Sequence, residues 1–403
     1  MDYEEQITDP NALYEGILKA TYGSKWKESS QRALLNILSL AFRIEEELKT
    51  RTYTSNVDKT FVVHERGRKR YITSFDVEDR AVRHVLCDDV FAPLIREKII
   101  YDNGASVEGR GISFSRKRFE VHLRKYFMQH KTNEGWILFG DFSKFYDNIL
   151  HDEAKEQLLE LVEYNPFVNW LLNVIFKTFE VDCSELTDEE CEALYYGVLN
   201  KLDYDPNGPK EKTIKKSIAI GDQLSQQIGI YYPHKIDNYI KIVRGQKYYG
   251  RYMDDWYIIS PSKEELQDIL ENVIKMGREI GLHINLSKTR IVKLDSTYKF
   301  LQVKYTLTKT GKVIKRINPK RVATMRKRLK KLAIKVNHEE IEYENVENSF
   351  RAWMGSFYKL LSNEQRQNLI SLYENLFDKK VLVKQGKLYI VSPSCRNSFQ
   401  NEI

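Results

Sequence analysis

The chain has 403 residues, 42% hydrophobic and 30% charged. That is enough for two or three packed units and ordinary for a soluble globular protein. Its longest apolar runs, such as Trp170–Phe176, fall far short of a membrane span, and the acidic start MDYEEQITDP reads as neither a secretory signal nor a transit peptide.

Residues 1–50 read as helical, with an apolar stripe of Leu34, Leu35, Ile37, Leu38, Leu40, Ala41, Phe42 and Ile44. Thr60–Val63 and Arg70–Ser74 read as short strands around the basic turn ERGRKR. Helices are expected at Asp79–Cys87 and Val90–Ile100, then a glycine-containing loop and a basic helix from Ser115 to about Lys131. The strand Trp136–Gly140 runs straight into DFSKFYDNI, and a helix starts near His151. Residues 160–215, with the acidic DCSELTDEECEAL and the turn YDPNGP, read as a helical insertion with a surface loop. A helix over 222–243 precedes the hairpin KYYGRYMDDWYIIS, Lys247–Ser260.

Beyond the hairpin, Lys263–Ile280 carries Leu266, Ile269, Leu270, Val273, Ile274 and Met276 at helical spacing, with Gly281 as a stop. Strands are expected at Gly281–Asn285, Arg290–Leu294, Tyr298–Thr306 and Val313–Ile317. From Pro319 the pattern is helical, with a short strand at Lys387–Val391. The four cysteines, Cys87, Cys183, Cys191 and Cys395, form no CxxC or Cys/His cluster, which points to a reducing, cytoplasmic setting. The middle of the chain therefore predicts an antiparallel sheet of split β-α-β type within an α/β (α+β) fold.

The formal charge of +7 is uneven. Ser296–His338 holds 14 Lys and Arg and no acid, leaving 50 basic against 57 acidic residues elsewhere. Alone, such a run is equally a solvated face or a track for a phosphate backbone.

Asp254 and Asp255 raise the sharper question, because adjacent carboxylates at a strand turn repel unless a cation neutralises them. Magnesium suits an all-oxygen site, holding one or two carboxylates while phosphates and waters complete its shell. Asp141, ending the apolar strand WILFGD, can lie beside this turn in an antiparallel sheet. Two ions there, about 4 Å apart, would activate a 3′-hydroxyl and stabilise a departing pyrophosphate.

Six segments, in order over about residues 50–360, resemble the reverse transcriptases. Tyr252–Asp255 (YMDD) resembles the catalytic hairpin, Asp141–Ile149 the strand with the first catalytic aspartate, and Ile220–Gln226 (IGDQLSQ) the segment packing on the nascent base pair. Gly281–Thr289 resembles the motif whose lysine is Lys288, and Lys299–Tyr305 (KFLQVKY) the primer-grip hairpin, with Gln302 in place of the usual glycine. Lys69–His84 resembles the fingers segment of prokaryotic members.

The resemblance implies a right-hand polymerase: an N-terminal helical extension at 1–55, fingers and antiparallel palm at 56–310, and a helical basic thumb with tail at 311–403. It implies that Asp141, Asp254, Asp255 and the Phe142 carbonyl bind two Mg2+ ions, with Mn2+ as a substitute, and that Lys288 gives a proton to pyrophosphate. Lys69 and Arg70 would contact the triphosphate, Tyr146 would exclude a 2′-hydroxyl, Gly221 would admit the nucleotide, and Gln226 would reach the template. Tyr252, Met253, Leu301 and Gln302 would touch the primer. Arg316, Lys320, Arg321, Arg326, Arg328 and Lys331 would track the duplex, with Val322, Met325, Leu329 and Leu332 packing beneath them.

Expected partners are an RNA template, a DNA primer or product and dNTPs, with no membrane, and with oligomers or an accessory protein compatible. At this length no ribonuclease H or endonuclease domain is expected after the thumb. Ile220 and Gln226, which replace commoner residues, resemble the diversity-generating and the defence-associated or abortive-infection groups. Both pair the enzyme with a non-coding RNA, and the acidic 160–215 segment favours the defence group. Template-independent, protein-primed synthesis and a vestigial binding protein are the competing readings.

Overall fold

The computed structural model describes residues 2–65, 68–197, 213–384 and 387–391. The chain divides into two units: Met1–Tyr126 with Glu134–Lys293, and Phe127–Asn133 with Leu294–Ile403. Among the described residues, no helix is long and apolar enough to cross a membrane.

The first unit opens with helices Tyr3–Thr8, Pro10–Thr21, Glu28–Leu35 and Ile37–Lys49. Asp2 and Asp9 cap the first two by accepting N–H groups of the opening turn, and Pro10 sits where its missing N–H costs nothing. The expected single stripe across 34–44 is broken at Asn36, which leaves helical geometry between two helices. Leu40, Ala41 and Ile44 are buried, whereas Leu35, Leu38 and Phe42 face solvent.

The hairpin Val57–Glu65/Arg68–Phe75 is longer than the sequence suggested, with Phe61 opposite Ile72 and Val63 opposite Arg70. Helix Val77–Val85 follows, capped by Asp76, and continues through a π-helical turn into Ala92–Lys98.

Four antiparallel strands form the central sheet, in the order Tyr249–Tyr252, Asp255–Ser260, Trp136–Asp141, Arg290–Lys293. Ile137, Leu138, Tyr257 and Ile258 are buried in it. Helix Lys263–Glu279 packs Leu266, Ile269 and Val273 inward and stops at Gly281, whose φ of +76° suits a residue without Cβ.

Two expectations fail here for local reasons. The helix over 222–243 breaks after Gln223–Tyr231, where Pro233 interrupts the hydrogen-bond ladder, and resumes as His234–Asn238, which runs directly into a π-helical turn, Tyr239–Val243. Gly281–Asn285 is not a strand; Ile284 alone bridges to Phe142. In the insertion, helices Pro166–Lys177 and Asp188–Gly197 flank a two-residue strand, Val181–Asp182, that pairs with Thr213–Ile214. The YDPNGP turn and Cys395 lie outside the described residues.

Among its described residues the second unit contains a three-stranded meander and the helices Pro319–Asn337, Tyr343–Phe357 and Asn363–Phe377. Val322, Met325 and Leu329 meet Val346, Phe350, Met354, Leu369 and Tyr373 in its core. A hairpin, Lys380–Lys384/Lys387–Val391, follows, its first strand not foreseen from the sequence.

The expected strand Tyr298–Thr306 is two strands, Thr297–Phe300 and Val303–Leu307, reversing at Leu301 and Gln302. Both turn residues have positive φ, 41° and 73°, a geometry that favours Asn-Gly and strains a residue carrying Cβ. Gln302→Gly should therefore stabilise the protein by about 0.5–1 kcal/mol. Chemical denaturation checks this, and a destabilised variant would mean that the Gln302 side chain contributes more than its backbone costs.

Candidate active site

The apolar strand Trp136–Asp141 delivers its terminal acid to the edge of the core. Asp141 pairs across the ladder with Asp255, and Tyr252 pairs with Asp255 on the other side, so Met253 and Asp254 form the hairpin turn. Cross-strand partners project to the same face of a sheet, which brings Asp141 and Asp255 together. Met253 holds φ at +53°, a strained conformation for a side-chain-bearing residue.

Backbone bonds fix the approach of the two segments. The Phe142 N–H donates to the Asp254 carbonyl at 3.3 Å, while Ser143 N–H donates to His283 O at 2.7 Å and Asn285 N–H to Asp141 O at 2.8 Å. In an antiparallel bridge a residue's N–H and C=O point the same way, so the Phe142 carbonyl faces the Asp254 turn.

Asp141 is buried and its two oxygens accept from Lys288 Nζ at 2.9 and 2.7 Å. The partly exposed Lys288 is set there by a turn in which its own N–H, and that of Thr289, donate to Asn285 O. Burial and then the Asp141 charge push the Asp254 carboxyl above its ordinary range; Lys288 and Arg70 oppose this. Asp254 thus sits in the electrostatic environment that an added cation would relieve.

Among the described residues, no three His, Cys, Asp or Glu side chains already converge closely enough to hold an ion. The donor chemistry nonetheless suits a hard divalent cation. It comprises carboxylate oxygens from Asp141, Asp254 and Asp255 and a carbonyl from Phe142, with a positive group already seated on Asp141.

An open cleft of about 1050 Å³ adjoins these groups, lined among others by Arg70, Tyr71, Phe142, Tyr146, Met253, Asp254 and Lys288. The Tyr146 hydroxyl lies 4.0 Å from Met253 Sδ. Burial, then the charges of Asp254 and Asp222, hold this phenol protonated well above its ordinary range, so it acts as a neutral wall.

Not every expected nucleotide residue enters this cleft. Gly221 (φ +104°) and Gln226 line a second cavity of about 930 Å³, where Ser106 Oγ donates to Gln226 Oε1 at 3.3 Å. Gly221 earns its place through that φ, and an added Cβ would also press on Ile72 Cγ2 at 3.2 Å. Lys69 follows Arg68 on the hairpin strand opposite His64; its side chain lies outside the described residues. Tyr252 is half-buried against the core and borders neither cavity.

Leu301 and Gln302 belong to the second unit, as do the cations expected to track a duplex. There Arg316, Lys320, Arg326, Arg328 and Lys331 are exposed. Arg321 is turned inward, with its guanidinium 4.9 Å from the Phe357 ring centre.

Two contributors escaped the sequence reading. Gly140 leaves room for the Trp256 ring on the adjacent strand, and Arg251 is a buried cation just before the YMDD turn. The signals were there, a glycine inside an apolar strand and an arginine inside an aromatic hairpin.

Comparison with solved structures finds telomerases. The telomerase from Candida albicans, in complex with a TWJ fragment of telomeric RNA, matches at 14% identity and TM-score 0.43, covering 66% of this chain and 45% of its own. Apo telomerase from Candida tropicalis matches at 12% and 0.43, covering 68% and 53%. A form of that enzyme truncated from its C-terminal domain matches at 13% and 0.43, covering 70% and 60%. The chain thus spans about half the length of these structures, and no curated protein matches it. The family described as reverse transcriptase (RNA-dependent DNA polymerase) matches residues 57–305, more than half of the chain, which therefore belongs to the reverse transcriptases.

Proposed function

We propose that this enzyme extends a primer 3′-hydroxyl with deoxynucleotides on a dedicated non-coding RNA, as a cytoplasmic component of prokaryotic antiphage defence. The observation that carries the polymerase reading is the pairing of Asp141 with Asp255 beside the Asp254 turn, next to a cleft that Arg70 and Tyr146 also line. The defence role rests on the resemblance of Ile220–Gln226 and on the acidic insertion.

In this reading Asp141, Asp254, Asp255 and the Phe142 carbonyl hold two Mg2+ ions, which when bound supply Lewis-acid stabilisation of phosphoryl oxygens. Arg70, with Lys69 beside it, grips the triphosphate, guanidinium being the natural partner of phosphate oxygens. Lys288 stands beside Asp141, placed to give a proton to the leaving pyrophosphate. Gly221 and Gln226 serve the template side. Residues 56–310 act as fingers and palm behind the 1–55 extension, and 311–403 as the thumb. Its exposed cations hold the duplex, with Leu301 and Gln302 at the primer grip.

Tyr146 would deny space to a 2′-hydroxyl. Tyr146→Ala is expected to raise rNTP incorporation on a primed RNA by about tenfold to a hundredfold relative to dNTP, the range that loss of one steric contact spans. Unchanged selectivity would remove Tyr146 from this role. Sequencing the RNA and DNA that copurify with the enzyme tests the template proposal: one recurrent RNA with complementary DNA supports it, and product independent of any RNA redirects it to untemplated synthesis.

A further inference from the structure

Arg251 sits between Gly250 and Tyr252 in the catalytic hairpin and is 1% exposed, as is Asp237 on helix His234–Asn238. Arg251 Nε donates to Asp237 Oδ1 and Oδ2 at 2.9 and 3.0 Å, and Nη2 donates to Oδ2 at 2.7 Å. The Tyr249 hydroxyl donates to the same carboxylate. A buried pair this well satisfied is costly to assemble and is better suited to fixing geometry than to adding stability.

What it fixes is visible in its remaining bonds. Nη2 also donates to Ile230 O at 2.7 Å, and Nη1 to Gly229 O at 3.4 Å and Met253 O at 3.1 Å. Gly229 and Ile230 lie in the last turn of helix Gln223–Tyr231, where carbonyls lack helical partners, so the guanidinium caps them. Met253 is the strained turn residue next to Asp254.

The contacts close into a ring. Met253 Sδ meets the Tyr146 hydroxyl, and that hydroxyl lies against Gly229, where an added Cβ would come within 3.0 Å of it and within 3.4 Å of Met253 Sδ. Gly229 O returns to Arg251. One guanidinium therefore holds both the backbone of the metal-binding turn and the glycine that supports the sugar-facing tyrosine. Lysine's three donors radiate from one nitrogen and cannot span four carbonyl and carboxylate groups lying in different directions.

We propose that the Arg251–Asp237 pair is a positioning device that couples the Asp254 turn to the Gly229–Tyr146 floor, so that catalytic geometry and sugar selectivity are set together. The inference rests on the reading of Tyr146 as the sugar-facing wall.

The test compares the full-length enzyme with Arg251→Lys, Asp237→Asn and Gly229→Ala, measuring kcat and KM for dNTP, the dNTP/rNTP preference and thermal unfolding. Arg251→Lys or Asp237→Asn should lower kcat about tenfold or more and reduce the dNTP/rNTP preference in the variant that still melts cooperatively, because displacements under 1 Å suffice for such losses. Gly229→Ala leaves the ion pair intact but presses on Tyr146, so it should raise the dNTP KM severalfold with a smaller change in kcat.

The proposal is overturned if all folded variants keep the wild-type sugar preference, or if activity falls only in proportion to the folded fraction. A wild-type enzyme that does not distinguish dNTP from rNTP would overturn it at its foundation. That outcome appears in the parent protein, before any variant is read.

Discussion

Asp254→Asn is expected to eliminate DNA synthesis while making the cation-free protein harder to melt. Its carboxyl lies beside Asp141 and is pushed above the ordinary carboxylate range, first by burial and then by that neighbour. A carboxyl whose folded pKa exceeds its unfolded value is most favourable to folding below the unfolded pKa. That contribution is lost as pH rises through the folded pKa, so at neutral pH the ionised group opposes the fold.

Asparagine keeps the size and removes the charge, so the variant should gain thermal stability near pH 7 and lose the advantage in acid. Activity moves the other way. One oxygen donor and one unit of negative charge leave the site, and several kcal/mol of transition-state stabilisation go with them, about a thousandfold or more in rate. Mg2+ should raise the melting temperature of the wild-type enzyme by mass action and do so less for the variant. Primer extension with labelled dNTP and melts with and without Mg2+ are the measurements. An active Asp254→Asn enzyme, or one as strongly stabilised by Mg2+ as its parent, would defeat the assignment.

Much of this arrangement could be read from short-range pattern. An apolar strand that stops at an acid, and a Tyr- and Ile-rich hairpin with two acids at its reversal, are local features. The pairing of Asp141 with Asp255 follows once both strands share a sheet. Helix Pro319–Asn337 was equally legible, because Val322, Met325 and Leu329 recur at helical spacing and are buried together.

What escaped depends on three-dimensional packing. Arg321 belongs by composition with its cationic neighbours, yet its ring contact with Phe357 is made to a residue 36 positions away. The segment holding Gly221 and Gln226 reads as one with the nucleotide site, but Gly221 lies against Ile72 of the hairpin, and a separate cavity opens there. The burial of Arg251 required its partner Asp237, which sits on helix His234–Asn238, 14 positions earlier in the chain. Pro233 and Asn36 are different: their breaking tendencies are local, and here they outweighed the periodicity around them.

Gly140→Ala should be among the most damaging single-methyl changes available to this enzyme. Gly140 faces Trp256 across the ladder, and a Cβ there would lie 2.1 Å from ring atoms Cε2 and Cζ2. Trp256 is itself buried in the main core, so the indole has nowhere to retreat, and the strands must separate or slide. Overpacking of this kind costs about 1–3 kcal/mol or more in stability.

The larger effect falls on the chemistry, because the next pair along the ladder is Asp141 and Asp255, and a displacement of 1 Å at reacting groups is worth about a hundredfold in rate. Trp256→Leu would empty the space that the methyl invades, so the double variant should recover more activity than the two single losses predict if their effects simply added. Gly355→Ala supplies the control: on helix Tyr343–Phe357 nothing lies within 4 Å of the added carbon, and the change should stabilise by up to about 1 kcal/mol. If Gly140→Ala melts and extends primers like its parent, the close seat of Trp256 does not govern where Asp141 stands.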